Sequence, residues 1–378
     1  MNRTISTLRR MILGTAALAL AGMAGGAAAQ QAARPPEPPA AMPQRPPSPW
    51  KTVEADYAAP NFRFHTGETL PRLNIHYATL GTPRRDAQGH VTNAIMLLHG
   101  TGGTGRGMAS AAFGNEVFGP GQMFDIARYF IVMPDGIGHG GSAKPSDGLK
   151  AAFPKYNYLD MVNAQRALAG HLGIDRFELI GGQSMGCMHS WVWATTYPDA
   201  MKRILPLACT PTAIAGRNRM FRKMLIESIK SDPAYMDGNY TTPPVYGLRE
   251  ANFILSFSTS TAQTLQRQFP NREAVDAHID RLVQSAPRQD ANDMIYQFDA
   301  SRDYNPEPDL GKIKARILWI NSQDDFVNDP FAGEVPRMAA KLKPEQFMMI
   351  PFGPETVGHG TTMRPRLWGD RVAALMHE

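Results

Sequence analysis

The sequence predicts an α/β protein, with a mostly parallel sheet flanked by helices and a helical cap inserted over one end of it. Three observations lead there. Apolar runs recur at 94–100, 129–136, 177–182, 203–208, 316–321 and 347–352, several of them ending in Gly or Asp-Gly. Such runs suit strands buried on both faces of a parallel sheet. Helical patterns at 158–172, 185–197 and 364–378 alternate with them, as right-handed βαβ units require. One segment, about 211–310, breaks the alternation and reads as helix and loop, the pattern of a cap above the carboxyl ends of the strands, where open α/β sheets bind ligands.

The N-terminus comes first in chain order. Arg3, Arg9 and Arg10 precede an apolar run from Met11 to about Met23, and small residues end at Ala27-Ala28-Ala29. This is the three-part pattern of a secretory signal peptide over 1–29. The run is shorter than the roughly 20 apolar residues of a spanning helix, so no stable membrane span is expected after cleavage. The expected location is periplasmic or secreted, and Arg9-Arg10 gives a weak twin-arginine character. Losing the three arginines lowers the formal net charge from +5 to +2. The basicity is thus partly a targeting feature, and without a basic run interleaved with aromatics no nucleic-acid partner is expected. Residues 30–56 are read as a Pro-rich linker that cannot bury a core, and the domain proper as 57–378. Its first two segments, "NFRFHTGETL" and "RLNIHYATLG", alternate as an antiparallel hairpin does.

The chemistry begins at Gly182-Gln183-Ser184-Met185-Gly186, a G-x-S-x-G sequence between a predicted strand and a predicted helix. That context makes Ser184 a candidate nucleophile on a sharp turn. A serine needs a base and the base an orienting acid. Of the histidines after Ser184 (His189, His278, His359 and His377), only His359 lies in a loop after a core strand. Asp325 is the expected acid, because in folds of this type the acid usually comes about five residues beyond the strand's last apolar residue, here Ile320; Asp324 is the alternative. The backbone N–H groups of Met185 and Thr101 are the expected oxyanion donors. Gly100, Gly102 and Gly105 spell a G-x-G-x-x-G, but no clear helix opens at Gly105. They are read as loop flexibility, and no cofactor is expected. No Cys/His spacing suggests a metal. Cys187 and Cys209 are read as two small buried thiols, although an oxidising compartment permits a bridge. Arg217, Arg219 and Arg222 are read as a solvated helix face, with a carboxylate-binding role as the alternative.

With Ser184, Asp325 and His359 in that order, the chain resembles the α/β-hydrolase superfamily, and within it the homoserine O-acetyltransferase-like group. The likeness rests on "GGQSMGCMHSW", "YPDAMKRILPLA", "SDPAYMDGNY", "DANDMIYQFDASRDY" and the terminal "GHG". It implies an eight-stranded sheet, a helical cap before the acid strand, ping-pong chemistry through an acyl-serine, and a possible homodimer through the cap. The sequence departs from the group after His359, where Gly360, Thr361 and Thr362 replace a "GHDAF"-like run. The expected function is an exported serine hydrolase cleaving an ester or related acyl bond of a small molecule. An O-acyltransferase of the same group is the alternative, and a non-catalytic binding protein on the same fold is the non-enzyme alternative.

Overall fold

A computed structural model describes residues 48–377. The expected signal peptide at 1–29, and the linker as far as residue 47, lie outside the described residues. Antiparallel β1 (Val53–Arg63) and β2 (Thr69–Leu80) form a hairpin whose β2 pairs with β4. The other strands are β3 (Ala94–Leu98), β4 (Phe130–Pro134), β5 (Leu179–Gln183), β6 (Arg203–Leu207), β7 (Arg316–Ile317), β8 (Trp319–Ser322) and β9 (Phe347–Ile350). Their order is β1-β2-β4-β3-β5-β6-β8-β9, and every pair from β4 to β9 is parallel. β7 and β8 both pair with β6, in succession along one side of it, so nine named strands fill eight sheet positions.

The first strand starts at Val53, earlier than the expected domain boundary at 57. β1 is an edge strand with Glu54 and Asp56 exposed, so its one-sided pattern blends into the Pro-rich run before it. The chain is fastened still earlier. Trp50 donates from Nε1 to Asn115 Oδ1 at 3.0 Å, and its ring packs edge-on against Phe118.

The helices cover both sheet faces. Those outside the cap are α1 (Ala111–Val117), α2 (Tyr158–Leu172), α3 (Met185–Thr196), α9 (Glu334–Ala339) and α10 (Gly369–His377). α2 and α3 pack Met161, Leu168, Trp191 and Trp193 onto one face. α1 and α10 place Phe113, Val117 and Val372 on the other. α4 (Gly216–Lys230), α5 (Val245–Ser258), α6 (Ala262–Gln268), α7 (Arg272–Ser285) and α8 (Ala291–Asp299) form the cap, inserted between β6 and β7. It has a core of its own, built on Leu225, Ile229, Leu248, Ile295 and Phe298.

Cys187 and Cys209 are joined in a disulfide with a Cα–Cα separation of 5.9 Å, which corrects the reading of two free thiols. Cys187 lies in the first turn of α3 and Cys209 just beyond β6. The sharp turn after β5 sets α3 back across the end of β6, and that return brings the sulfurs together. The bridge closes a loop spanning a sequence separation of 22 residues, for which loop-closure entropy gives about 3 kcal/mol. Replacing both cysteines by Ala is expected to lower the unfolding free energy by about 2–4 kcal/mol, measured by urea denaturation.

Candidate active site

β5 ends at Gln183 and α3 begins at Met185, so Ser184 alone makes the turn. Its backbone has a positive φ of 57° with ψ −111°, a region that residues with a side chain seldom occupy. A non-glycine residue there costs on the order of 1–3 kcal/mol. The flanking glycines permit this geometry. A Cβ on Gly182 would stand 2.5 Å from the Leu98 carbonyl oxygen, and one on Gly186 only 2.2 Å from it. Any side chain would push α3 off β3. The Ser184 N–H is held by the Leu207 carbonyl at 2.8 Å.

The structure brings three predicted residues into one chain of contacts. Ser184 Oγ lies 2.8 Å from His359 Nε2. His359 Nδ1 lies 2.9 and 3.0 Å from the two carboxylate oxygens of Asp325. Asp325 is fully buried and also accepts from the Val327 and Asn328 N–H groups and from Asn328 Nδ2. Burial pushes its carboxyl upward, but the His359 ring and the Asn328 donors outweigh that and hold it below the ordinary value. It therefore stays ionised and can fix an imidazolium.

Asp324, the alternative acid, faces elsewhere. It accepts from the Gly358 N–H at 2.5 Å and from Thr361 Oγ1 at 3.1 Å. Adjacent carboxylates thus divide the work, Asp325 on the imidazole and Asp324 on the backbone of the loop that carries it. The Thr361 that departs from the resembled group supplies one of those bonds.

Met185 is the first residue of α3, so its N–H has no intrahelical acceptor. Thr101, in the loop after β3, lines the same cavity as Ser184. The Gly100 carbonyl is turned to His99 Nδ1 at 2.8 Å and to the Gly103 N–H at 2.9 Å. In a trans peptide the following N–H points the opposite way, which directs Thr101 N–H away from that cluster. His99 was not among the predicted residues. It is buried, accepts the Gly136 N–H at Nε2, and is held neutral by burial. The other two glycines of the G-x-G-x-x-G have structural reasons. Gly102 has φ +75°, and a Cβ on Gly105 would collide with the Met133 carbonyl.

A cavity of about 520 Å³ opens on Ser184 and His359 beneath the cap. Thr101 and Gln183 line it from the core, and Phe221, Arg222, Asp293 and Phe298 from the cap. Arg222 is buried rather than part of a solvated face. It donates to Asn218 Oδ1 and Ser301 Oγ, lies beside the Phe221 and Phe298 rings, and has no carboxylate partner among the described residues. Arg217 is exposed and stacks over Phe326. Asp293 accepts from both the N–H and the hydroxyl of Ser146, tying α8 to the core. Burial raises its carboxyl to about 6 against these bonds. Helical periodicity could mark α4 and α8 as amphipathic, but could not tell that their inner faces carry Arg222 and Asp293.

The model of the alpha/beta hydrolase fold matches residues 93–353. The chain belongs to the α/β-hydrolase fold family. Within that family it falls in the homoserine O-acetyltransferase-like group. It is 30% identical over 320 residues to a homoserine O-acetyltransferase of Thermobifida fusca, covering 75% of this chain and 82% of that one. It is 29% identical over 328 residues to a homoserine O-acetyltransferase of Geotalea daltonii, covering 77% and 88%. Among solved structures, a homoserine O-acetyltransferase from Bacillus anthracis superposes with TM-score 0.74 at 20% identity, covering 86% of this chain and 98% of that one. An acetylester hydrolase from Corynebacterium glutamicum gives the same TM-score at 20% identity, covering 86% and 96%.

The raised Asp293 carboxyl has a signed consequence. An acid whose folded value lies above its unfolded value binds more protons when folded, so stability falls as pH rises between the two. The wild type should lose stability relative to Asp293→Asn as pH climbs from about 4 to about 6, the interval between the ordinary and raised values. Thermal unfolding of both proteins across that range checks the sign.

Proposed function

We propose that this protein is an exported serine hydrolase that cleaves an ester or related acyl bond through an acyl-serine. The observation that carries the reading is the Asp325–His359–Ser184 chain, with contacts of 2.9 and 2.8 Å, ending on a strained turn that opens into the cavity. As Ser184 Oγ attacks the acyl carbonyl, His359 Nε2 takes its proton. Asp325 holds the Nδ1 side of the ring and stabilises the imidazolium. The oxyanion forms against the Met185 and Thr101 N–H groups, each worth about 3 kcal/mol by the usual cost of losing such a donor. His359 then delivers the proton to the leaving alcohol. Water attacks the acyl-serine with His359 as base, the acid leaves, and Ser184 regains its proton.

An acyltransferase is the second reading, favoured by the names of the relatives. There an alcohol takes the place of water in the last step, and no other part of the machinery changes. Product formed from an acyl-CoA and an alcohol acceptor, in excess of hydrolysis, would decide for it.

Export is supported by the N-terminal pattern over 1–29 and by a disulfide, which persists in oxidising compartments. A homodimer through the cap is supported by the exposed apolar side chains of α5, Tyr246 and Phe257. If this contact forms, Phe257→Asp should convert a dimer to a monomer in light scattering. An unchanged mass would count against assembly through this face.

The test of mechanism is direct. Wild type should hydrolyse short p-nitrophenyl esters and take up a fluorophosphonate probe. Ser184→Ala should lose both, with turnover down at least about 1,000-fold and the fold intact. Asp325→Asn should lower kcat by roughly 100-fold or more, and Asp324→Asn by less. A larger loss at Asp324 would overturn the assignment of the acid, and no probe uptake by wild type would overturn the nucleophile.

A further inference from the structure

Asn328 is buried and bridges two parts of the site that the chain keeps 120 residues apart. Its Nδ2 donates to Asp325 Oδ2 at 3.1 Å and to the Ala208 carbonyl at 2.9 Å. Ala208 is not an ordinary loop residue. Its φ is 61°, a left-handed backbone in a residue with a Cβ, and such strain persists only where surrounding structure over-determines it. Three fixings surround it. The preceding carbonyl, Leu207, holds the Ser184 N–H at 2.8 Å, and the Ala208 N–H donates to the Ile320 carbonyl at 2.9 Å. The following residue, Cys209, is bonded covalently to Cys187 in the first turn of α3. The Ala208 carbonyl is therefore part of the frame that holds the nucleophile.

We infer that Asn328 is a positioning residue for Asp325, transmitting the placement of the nucleophile turn to the acid. This rests on the reading of Asp325 as the acid of the catalytic chain. Without the bridge, Asp325 is placed by the His359 ring it is meant to orient and by the Val327 and Asn328 N–H groups, which belong to its own turn and move with it. Apart from the His359 ring, which is the moving part of the chain of contacts, the Asn328 side chain is what refers the carboxylate to the turn that carries Ser184 among the described residues. One amide donor shared between the acid and the Ala208 carbonyl thus fixes the distance across which His359 must reach.

A residue that acts through Asp325 has nothing to act on once that carboxylate is gone. Asn328→Ala should lower kcat for a short p-nitrophenyl ester about tenfold, with KM within about twofold, the coupling expected of contacting groups. In the Asp325→Asn background the same change should leave kcat within about twofold of Asp325→Asn alone. A full tenfold further loss in that background, or no loss in the wild-type background, overturns the proposal. If Asn328→Ala does not fold, as judged by its thermal midpoint, Asn328→Ser takes its place. Its hydroxyl is too short to bridge both acceptors, and the same two comparisons decide. Should Asp325→Asn itself leave kcat unchanged, it is the assignment of the acid that fails, which separates the two outcomes.

Discussion

The close approach of α3 to β3 is the constraint on which the rest of the site depends. Gly182 and Gly186 both face the Leu98 carbonyl at distances that no Cβ could share. Only with both glycines can the helix start directly above the strand, and only then is Ser184 forced into its positive-φ conformation at the turn. The strain lifts the hydroxyl above the sheet and leaves the first N–H of the helix unpaired beside it. The raised Ser184 hydroxyl and the free first N–H of α3 are thus products of one packing contact. The disulfide between α3 and the exit of β6 secures the same turn from its other side.

Around that turn the site is assembled from three loops at the carboxyl ends of strands, each braced by a buried polar residue. His99 turns the Gly100 peptide after β3. Asp324 holds the loop of His359. Asn328 ties Asp325 to the exit of β6. These braces hold the loops whose side chains meet in the Asp325–His359–Ser184 chain of contacts. The cap contributes chemistry of another kind. Its inner surface offers a buried guanidinium, Arg222, beside the Phe221 and Phe298 rings, and the Asp293 carboxyl, raised to about 6 by burial.

Much of this was legible in the sequence because it depends on local patterns. Buried parallel strands announce themselves as apolar runs, and a G-x-S-x-G between strand and helix allows few geometries. His359 stood out because its rivals lie in helices or beside the terminus. Asp324 and Asp325 could not be separated with certainty, since neighbouring residues on a turn point in opposite directions and the backbone decides which. The pairing of Cys187 with Cys209 depends on how far α3 folds back, a distance absent from composition. The inner faces of α4 and α8 were equally hidden, because an amphipathic helix reveals its apolar stripe but not which of its polar residues are sealed beneath it. The start of β1 was missed because an edge strand buries only one side.

Both sulfurs of the Cys187–Cys209 bridge are fully buried. Oxidation must then come before the core closes, since a closed core admits neither oxidant nor disulfide exchange partner. Timing during biosynthesis becomes part of the covalent structure. A chain that completes its fold in a reducing environment shuts two thiols inside and carries them unpaired until it opens again, whereas a chain that meets an oxidant while still open acquires the bridge for good. Preparations of the same sequence made by these two routes are different molecules at the helix that bears Ser184.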